Sequence, residues 1–116
     1  MTELAIILFE TEADWEQWLE DQHTNAPGIW MKLAKKDSGH RSISYQQALT
    51  IALCFGWIDG QKNKFDEQFW LQKFTPRRPT SNWSRINREK AEDLIAQGRM
   101  RETGLKEVQA AKADGR

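Results

Sequence analysis

Cysteine and histidine are scarce in this 116-residue chain, and their scarcity narrows the classes of protein it can belong to. The single cysteine, Cys54, cannot form an intramolecular disulfide, which favours a reducing compartment. Two separated histidines, His23 and His40, give no zinc-type spacing. The sequence also has no phosphate-binding loop, dinucleotide fingerprint or nucleophilic triad. We therefore expect no metal and no cofactor.

Long apolar runs are missing as well. The run at residues 4–9 is too short to cross a membrane and has no basic leader before it. We interpret it as a buried strand of a cytoplasmic protein that does not insert into membranes.

Lysine and arginine are absent from the first 31 positions, although the formal net charge of the chain is zero. That segment carries seven acids, whereas residues 60–101 carry ten bases and five acids. Two interpretations follow from this asymmetry. The two regions attract each other and help the domain to close, or the basic region forms a face for an anionic ligand.

Length, 39% hydrophobic residues and 29% charged residues indicate one soluble domain over residues 1–116. A capping box of Ser44 and Gln47 opens a helix that is apolar nearly all round, so we predict a buried central helix. The fold class is predicted as α+β: a small mixed sheet of short strands packed against that helix, with two C-terminal helices. The predicted elements are strands 4–9, 29–34, 57–61 and 69–74, and helices 12–23, 45–55, 85–97 and 102–113.

Within the first C-terminal helix, the apolar spacing predicts an inward face of four residues: Ile86, Ala91, Leu94 and Ile95. Residues 75–83 contain two prolines and little apolar periodicity, so they are predicted to form an ordered loop rather than a strand.

The arginine pair Arg77-Arg78 stands between Pro76 and Pro79 in this loop. Proline on each side restricts the backbone, and guanidinium groups match the geometry of carboxylate or phosphate. A helix start follows directly and offers free N–H groups to an anion. The pattern predicts an anion site whose remaining members are Ser81, Ser84, Asn87 and Arg88. In the alternative interpretation, Ser84 only caps the helix and Arg77 pairs with an acid of the N-terminal third.

Asp59 lies where the chain leaves a short apolar strand, so three roles are open to it. It could orient an arginine of the anion site, act as the acid or base of an enzyme, or bond its own backbone in a turn. Strand alternation predicts that Gln61 points the same way and joins the site.

Trp70 and Trp83 stand beside basic residues, a pattern found on surfaces that bind single-stranded nucleic acid. The competing interpretation places both rings in the core. We interpret Cys54 as an apolar filler and the two histidines as surface or turn residues.

Several segments carry a combined pattern: Trp15-x-x-Trp18-Leu19, Gly28-Ile29-Trp30, Ser44–Leu49, Leu53–Gln61, Gln72–Pro79, and Ser81–Ser84 with Asn87-Arg88. Together they resemble the YdeI/OmpD-associated family of bacteria, whose members are also called bacteriocin-protection proteins. The resemblance implies resistance to bacteriocins or cationic antimicrobial peptides and a protein partner, an outer-membrane porin. It implies no particular reaction.

The resemblance also implies a periplasmic setting, whereas the residues themselves predict a cytoplasmic one. Members of that family run past the point that matches Gly115-Arg116. We therefore expect a short member or the N-terminal part of a longer chain. The function predicted from the sequence is stress or bacteriocin protection through a small anion-binding surface, without catalysis. The alternatives are a nucleic-acid-binding module and an enzyme that uses Asp59.

Overall fold

The computed structural model describes residues 4–36, 38–77 and 84–113. Strands and helices follow in the order β1 (Ala5–Leu8), α1 (Glu12–Gln22), β2 (Ile29–Ala34), α2 (Tyr45–Cys54), β3 (Trp57–Lys64), β4 (Phe69–Pro76), α3 (Arg85–Ala96) and α4 (Glu102–Ala113). The protein is therefore α+β, as the sequence predicts.

The four strands form one mixed sheet in the order β1-β2-β4-β3. β1 runs parallel to β2, and β4 is antiparallel to both of its neighbours, β2 and β3. β3 and β4 form a hairpin that is longer than predicted. Asn63 and Lys64 extend β3 past its predicted end, where they pair with Leu71 and Trp70 of β4.

The prediction of a loop from residue 75 onward was wrong at its start. Thr75 and Pro76 continue β4, because they pair with Ile58 and Trp57 of β3. A proline is tolerated at the end of a strand, where its missing N–H removes no bond from the middle of the sheet. Arg77 extends the pairing by one more bond, since its N–H donates to the carbonyl of Gly56 at 2.9 Å.

The core lies between one face of the sheet and α2, and it contains two fully buried tryptophans. The indole N–H of Trp15 donates to the carbonyl of Ala48 in α2 at 3.0 Å. That of Trp57 donates to the carbonyl of His23 at 3.3 Å. Both rings therefore bury a large apolar surface without losing a hydrogen bond. Helix α2 is the buried central helix that its composition predicts.

Three helices begin at the residues that the sequence predicts. The side-chain oxygens of Thr11, Ser44 and Ser84 each accept an N–H three residues onward, and Ser44 forms the full capping box with Gln47. Gly56 follows α2 with a φ of 79°, a conformation that favours glycine. These local signals are sufficient to fix helix ends because they act within one turn of the chain.

The inward face predicted for α3 was wrong at Ile86, which is 67% exposed. Ala91 and Leu94 are the buried residues of this helix. Ile86 lies five residues before Ala91, which corresponds to a rotation of about 140° at 3.6 residues per turn. Its side chain therefore points away from the stripe that packs on the core.

The other helices, α1, α3 and α4, each pack against α2, which in turn packs against β3. Arg101, just before α4, forms ion pairs with Glu16 and Glu20 of α1 at 3.2 and 2.6 Å. Part of the charge asymmetry therefore helps the domain to close. No helix within the described ranges is long and apolar enough to cross a membrane.

Candidate functional site

The first residue of α2, Tyr45, lies against β3 and β4. The capping box at Ser44 fixes the start of the helix, so the position of the tyrosine ring is defined. The Tyr45 hydroxyl donates a short hydrogen bond to the carboxylate of Asp59, and its ring centroid lies 6.3 Å from that of Trp70. Burial, followed by the hydrogen bond and the charge of Asp59, raises the pKa of Tyr45 to about 12. The hydroxyl is therefore a protonated donor at neutral pH.

A β-bulge in β3 places Asp59 and Lys62 on the same face of the sheet. Asp59 lies opposite Phe74 and Lys62 lies opposite Gln72, so one extra residue is inserted between them on β3. Residues three apart in a regular strand point to opposite faces, and the extra residue reverses this relation. The carboxylate and the lysine therefore both lie on the helix-bearing face, beside Tyr45.

Gln72 of β4 holds the bulge. Its side chain is completely buried, and its amide N–H₂ group donates to the carbonyls of Gly60 and Gln61 at 2.9 and 3.3 Å. These two carbonyls lie where the regular strand pairing is interrupted. The amide replaces the hydrogen bonds that the bulge disrupts, and in this way it supports the orientation of Asp59 and Lys62.

An open groove of about 420 Å³ lies at the far end of the hairpin on this face. It is lined by Lys35, Lys62, Asn63, Lys64 and Trp70. The Lys62 ammonium lies 5.4 Å from the Trp70 ring centroid and 5.8 Å from that of Tyr45, within the range of cation–π attraction. We call this feature the basic groove.

The three lysines of the basic groove are exposed. In the described part of the chain, no ion pair joins Lys35, Lys62 or Lys64 to a carboxylate. On the same face, Asp59 accepts its hydrogen bond from Tyr45, and Asp66, which interacts electrostatically with Lys35, accepts the N–H groups of the hairpin turn. Three like charges are thus gathered around a half-buried indole, an arrangement that attracts anions.

Of the residues predicted to form the anion site, the structure describes Arg77, Ser84, Asn87, Arg88, Asp59 and Gln61. Arg77 is buried, with 6% of its surface exposed. Ser84 caps α3 by accepting the N–H of Asn87 at 3.1 Å, and Arg88 is exposed one turn further on. Arg78 and Ser81, together with the stacking candidate Trp83, lie outside the described residues, so their part in the site stays a prediction.

A β-bulge interrupts the strand alternation that predicts the same direction for Asp59 and Gln61. The bulge lies between them, and the pairing register brings Lys62 rather than Gln61 to the side of Asp59. Gln61 is exposed and borders a different depression, beside Gly60 and Lys73. Among the described residues, no hydrogen bond joins Asp59 or Gln61 to Ser84, Asn87 or Arg88.

Trp70, the other stacking candidate, lies in the basic groove with its ring half-buried. The sequence did not identify Tyr45, Lys35, Lys62 or Lys64 as members of a site. The available signal was Gly60, because a glycine inside a strand often marks a bulge that redirects side chains.

The remaining chemically active side chains have structural partners. Cys54 is buried and donates to the carbonyl of Thr50 at 3.4 Å, and burial raises the pKa of its thiol. A ring nitrogen of His23 lies 2.6 Å from the carbonyl of Leu19, and His40 is bonded to the side chain of Gln68. In residues 4–36, 38–77 and 84–113, no three His, Cys, Asp or Glu side chains gather as a metal site would require.

Comparison with known proteins gives one family match. A family model described as "Domain of unknown function (DUF8412)" matches residues 7–107, a range that contains the whole basic groove. No curated protein and no solved structure matches the chain. The similarity to the YdeI/OmpD-associated family stays a prediction from the sequence. By the extent of the family match, the chain belongs to the DUF8412 family.

Proposed function

We propose that this protein is a binding protein, without catalytic activity, that takes a phosphate-bearing or similarly charged anion in the basic groove. One observation carries the proposal. Lys35, Lys62 and Lys64 surround the half-buried Trp70, and none of these lysines is in an ion pair within the described part of the chain.

The aromatic wall of the groove gives the lysines a defined arrangement. Lys62 lies over Trp70 and Tyr45, and the bond from Tyr45 to Asp59 holds that wall in place. An ammonium group restrained in this way loses less conformational freedom when it contacts an anion. Asp59 acts in this proposal through Tyr45, as a positioning residue.

The wider biological setting remains the one predicted from the sequence: protection against stress or bacteriocins in the cytoplasm. An anion-binding surface is compatible with that role, and the single cysteine is consistent with a reducing compartment. Arg78 and Ser81, the predicted site members that lie outside the described residues, are proposed as further contributors to anion binding.

Titration with inorganic tripolyphosphate at low salt tests the proposal. Lys62→Ala/Lys64→Ala should weaken binding at least about tenfold, because an ammonium within about 4 Å of a phosphate charge contributes about 1 kcal/mol even in water. Isothermal calorimetry measures the two dissociation constants. Arg78→Ala, measured in parallel, reports the contribution of this proline-flanked arginine.

The matched control is Lys106→Ala/Lys112→Ala, which removes the same charge from α4. Both control lysines are largely exposed, and their ion pairs with Glu102 and Glu92 are surface pairs of little energetic value. The control should bind within about twofold of the wild type, since these lysines lie outside the groove. Equal weakening in both double variants, or no binding by the wild type, would refute the proposal.

A further inference from the structure

The face of the sheet that points away from the helices has a second array of lysines and aromatic rings. We infer that this face binds single-stranded nucleic acid, as the continuation of the basic groove. The inference rests on the proposed function and specifies its ligand: a flexible polyanion with unpaired bases. The outer face is defined here by Trp30, Lys32, Phe65, Leu71 and Lys73.

The strand register places these side chains together. Trp30 of β2 lies opposite Lys73 of β4, and Lys32 lies opposite Leu71. Along the two strands, these pairs alternate with pairs that point to the helix-bearing face, such as Met31 opposite Gln72. Over the described residues, Trp30, Lys32 and Lys73 of the outer face are half-buried and Phe65 is exposed, whereas Leu71 is buried.

Each lysine of the outer face lies over an aromatic ring. The Lys73 ammonium is 5.8 Å from the Trp30 ring centroid. The Lys32 ammonium is 4.5 and 4.4 Å from the ring centroids of Phe65 and Phe69. Phe65 is 43% exposed. Rings with an adjacent cation are the parts from which surfaces for single strands are built: the ring stacks on a base and the cation contacts the backbone phosphate.

The charge of the outer face favours a nucleic-acid strand as its ligand. Within the described ranges, neither Lys32 nor Lys73 is in an ion pair. The nearby acid Asp66 accepts the N–H groups of Gln68 and Phe69 at 2.8 Å, and the charge of Lys32 contributes to the lowering of its pKa. Asp66 is thus the acid that acts on Lys32 across the turn, and the positive charge of Lys73 beside Trp30 matches a polyanion.

The basic groove lies on the other side of the same hairpin. Lys62 and Lys64 point to the helix-bearing side of β3, while Asn63, between them, lies opposite Leu71 of the outer face. One extended strand could therefore pass around the end of the hairpin and contact both surfaces. A duplex is too stiff for this path and hides the faces of its bases, so the geometry favours single strands.

The experiment measures the fluorescence anisotropy of an end-labelled oligothymidylate over a series of salt concentrations. Lys32→Gln/Lys73→Gln removes the outer cations without disturbing the core. If both lysines contact phosphates, the slope of log K against log salt should fall in magnitude by about 1.4, at about 0.7 per contact for single strands. Affinity should fall at least about tenfold.

Trp30→Leu tests stacking, and Trp30→Phe, which keeps an aromatic ring, should restore most of the binding. Tripolyphosphate provides the control ligand, because it has charge but no base. Its affinity for the basic groove should be unchanged in the outer-face variants. Lys106→Ala/Lys112→Ala again controls for net charge.

The outcomes separate this inference from the proposed function. If tripolyphosphate binds through Lys62 and Lys64 while the outer-face variants bind oligothymidylate like the wild type, the inference is wrong and the proposed function stands. If neither ligand binds, both are wrong. Binding of duplex as tightly as single strands overturns the inference. A fourth outcome also overturns it: the protein dimerises as its concentration rises, Trp30→Leu abolishes the dimer, and no oligonucleotide binds. The outer face would then contact a second copy of the chain.

Discussion

At the scale of single residues, Tyr45 provides an observable signal from the site, because it is the only tyrosine in the chain. Its hydroxyl binds Asp59, and its ring forms part of the wall below Lys62. The state of this one phenol therefore reports whether the site is assembled.

Alkaline titration followed by phenolate absorbance should show Tyr45 ionising near pH 12. Because the unfolded value is about 10, the folded pKa is the raised one. The stability that the protonated hydroxyl contributes is therefore present below about pH 10 and is lost as the pH rises towards 12. Asp59→Asn should move the ionisation towards the normal value, since it removes the carboxylate that the hydroxyl donates to.

Circular dichroism at each pH controls for unfolding during that titration. An ionisation near the normal value in protein that is still folded, or an Asp59→Asn variant that titrates like the wild type, would contradict the Tyr45–Asp59 contact.

At the scale of elements, α4 is held against the end of α2 by a glycine. Gly104 is buried, and a Cβ atom built on it would overlap the carbonyl oxygen of Cys54. Two bonds reinforce the contact: the Arg101 N–H donates to the Cys54 carbonyl, and the Thr103 hydroxyl donates to that of Phe55, both at 2.8 Å.

Gly104→Ala should therefore destabilise the protein by about 1–3 kcal/mol through overpacking. The sign is informative, because the same change in an open helix stabilises by up to about 1 kcal/mol. Urea denaturation measures the free energy of unfolding. Gln109→Ala, at an exposed position of α4, serves as the control and should stay within about 0.5 kcal/mol of the wild type. A Gly104→Ala protein as stable as the wild type would show that α4 does not pack so closely.

The helix starts could be predicted from the sequence because their signals are local, as at Ser44 with Gln47. The exposure of Ile86 could not be predicted, since an apolar residue at this position suggests an inward face, whereas α3 packs through Ala91 and Leu94. The length of the hairpin was also missed, because residues 62–64 are polar and lie beyond the core. Only pairing with β4 makes them a strand.

Trp70 was identified as a stacking candidate because aromatic and basic residues are neighbours in the sequence. Its partners were missed for a geometric reason. Tyr45, Lys62 and Trp70 are brought together by helix packing and strand register. The bulge that redirects Lys62 depends on Gln72, whose role is visible only once both strands are in place.

At the scale of the whole molecule, the charge asymmetry has a structural part and, in the proposed function, a binding part. Arg101 forms ion pairs between the acidic α1 and the start of α4, and we propose that the hairpin lysines bind the ligand. The first part concerns stability and the second concerns binding, so substitutions should separate them.

Arg101→Gln should lower the free energy of unfolding by about 1 kcal/mol, as expected for a partly exposed cation that bridges two carboxylates. The loss should shrink at high salt, because screening already weakens the pairs. Thermal denaturation at low and high salt measures both effects. Tripolyphosphate binding should be unaffected. An Arg101→Gln protein that loses binding but keeps its stability would contradict the structural role of Arg101.

The most direct test of the central claim, that the basic groove is the anion site, is a titration of the isotope-labelled protein with tripolyphosphate followed by NMR. We expect the amide signals of Lys35, Lys62, Asn63 and Lys64 and the indole N–H signal of Trp70 to shift together with one dissociation constant, whereas the signals of α4 should not shift. Shifts confined to Arg77, Ser84, Asn87 and Arg88, or no shifts at all, would contradict it.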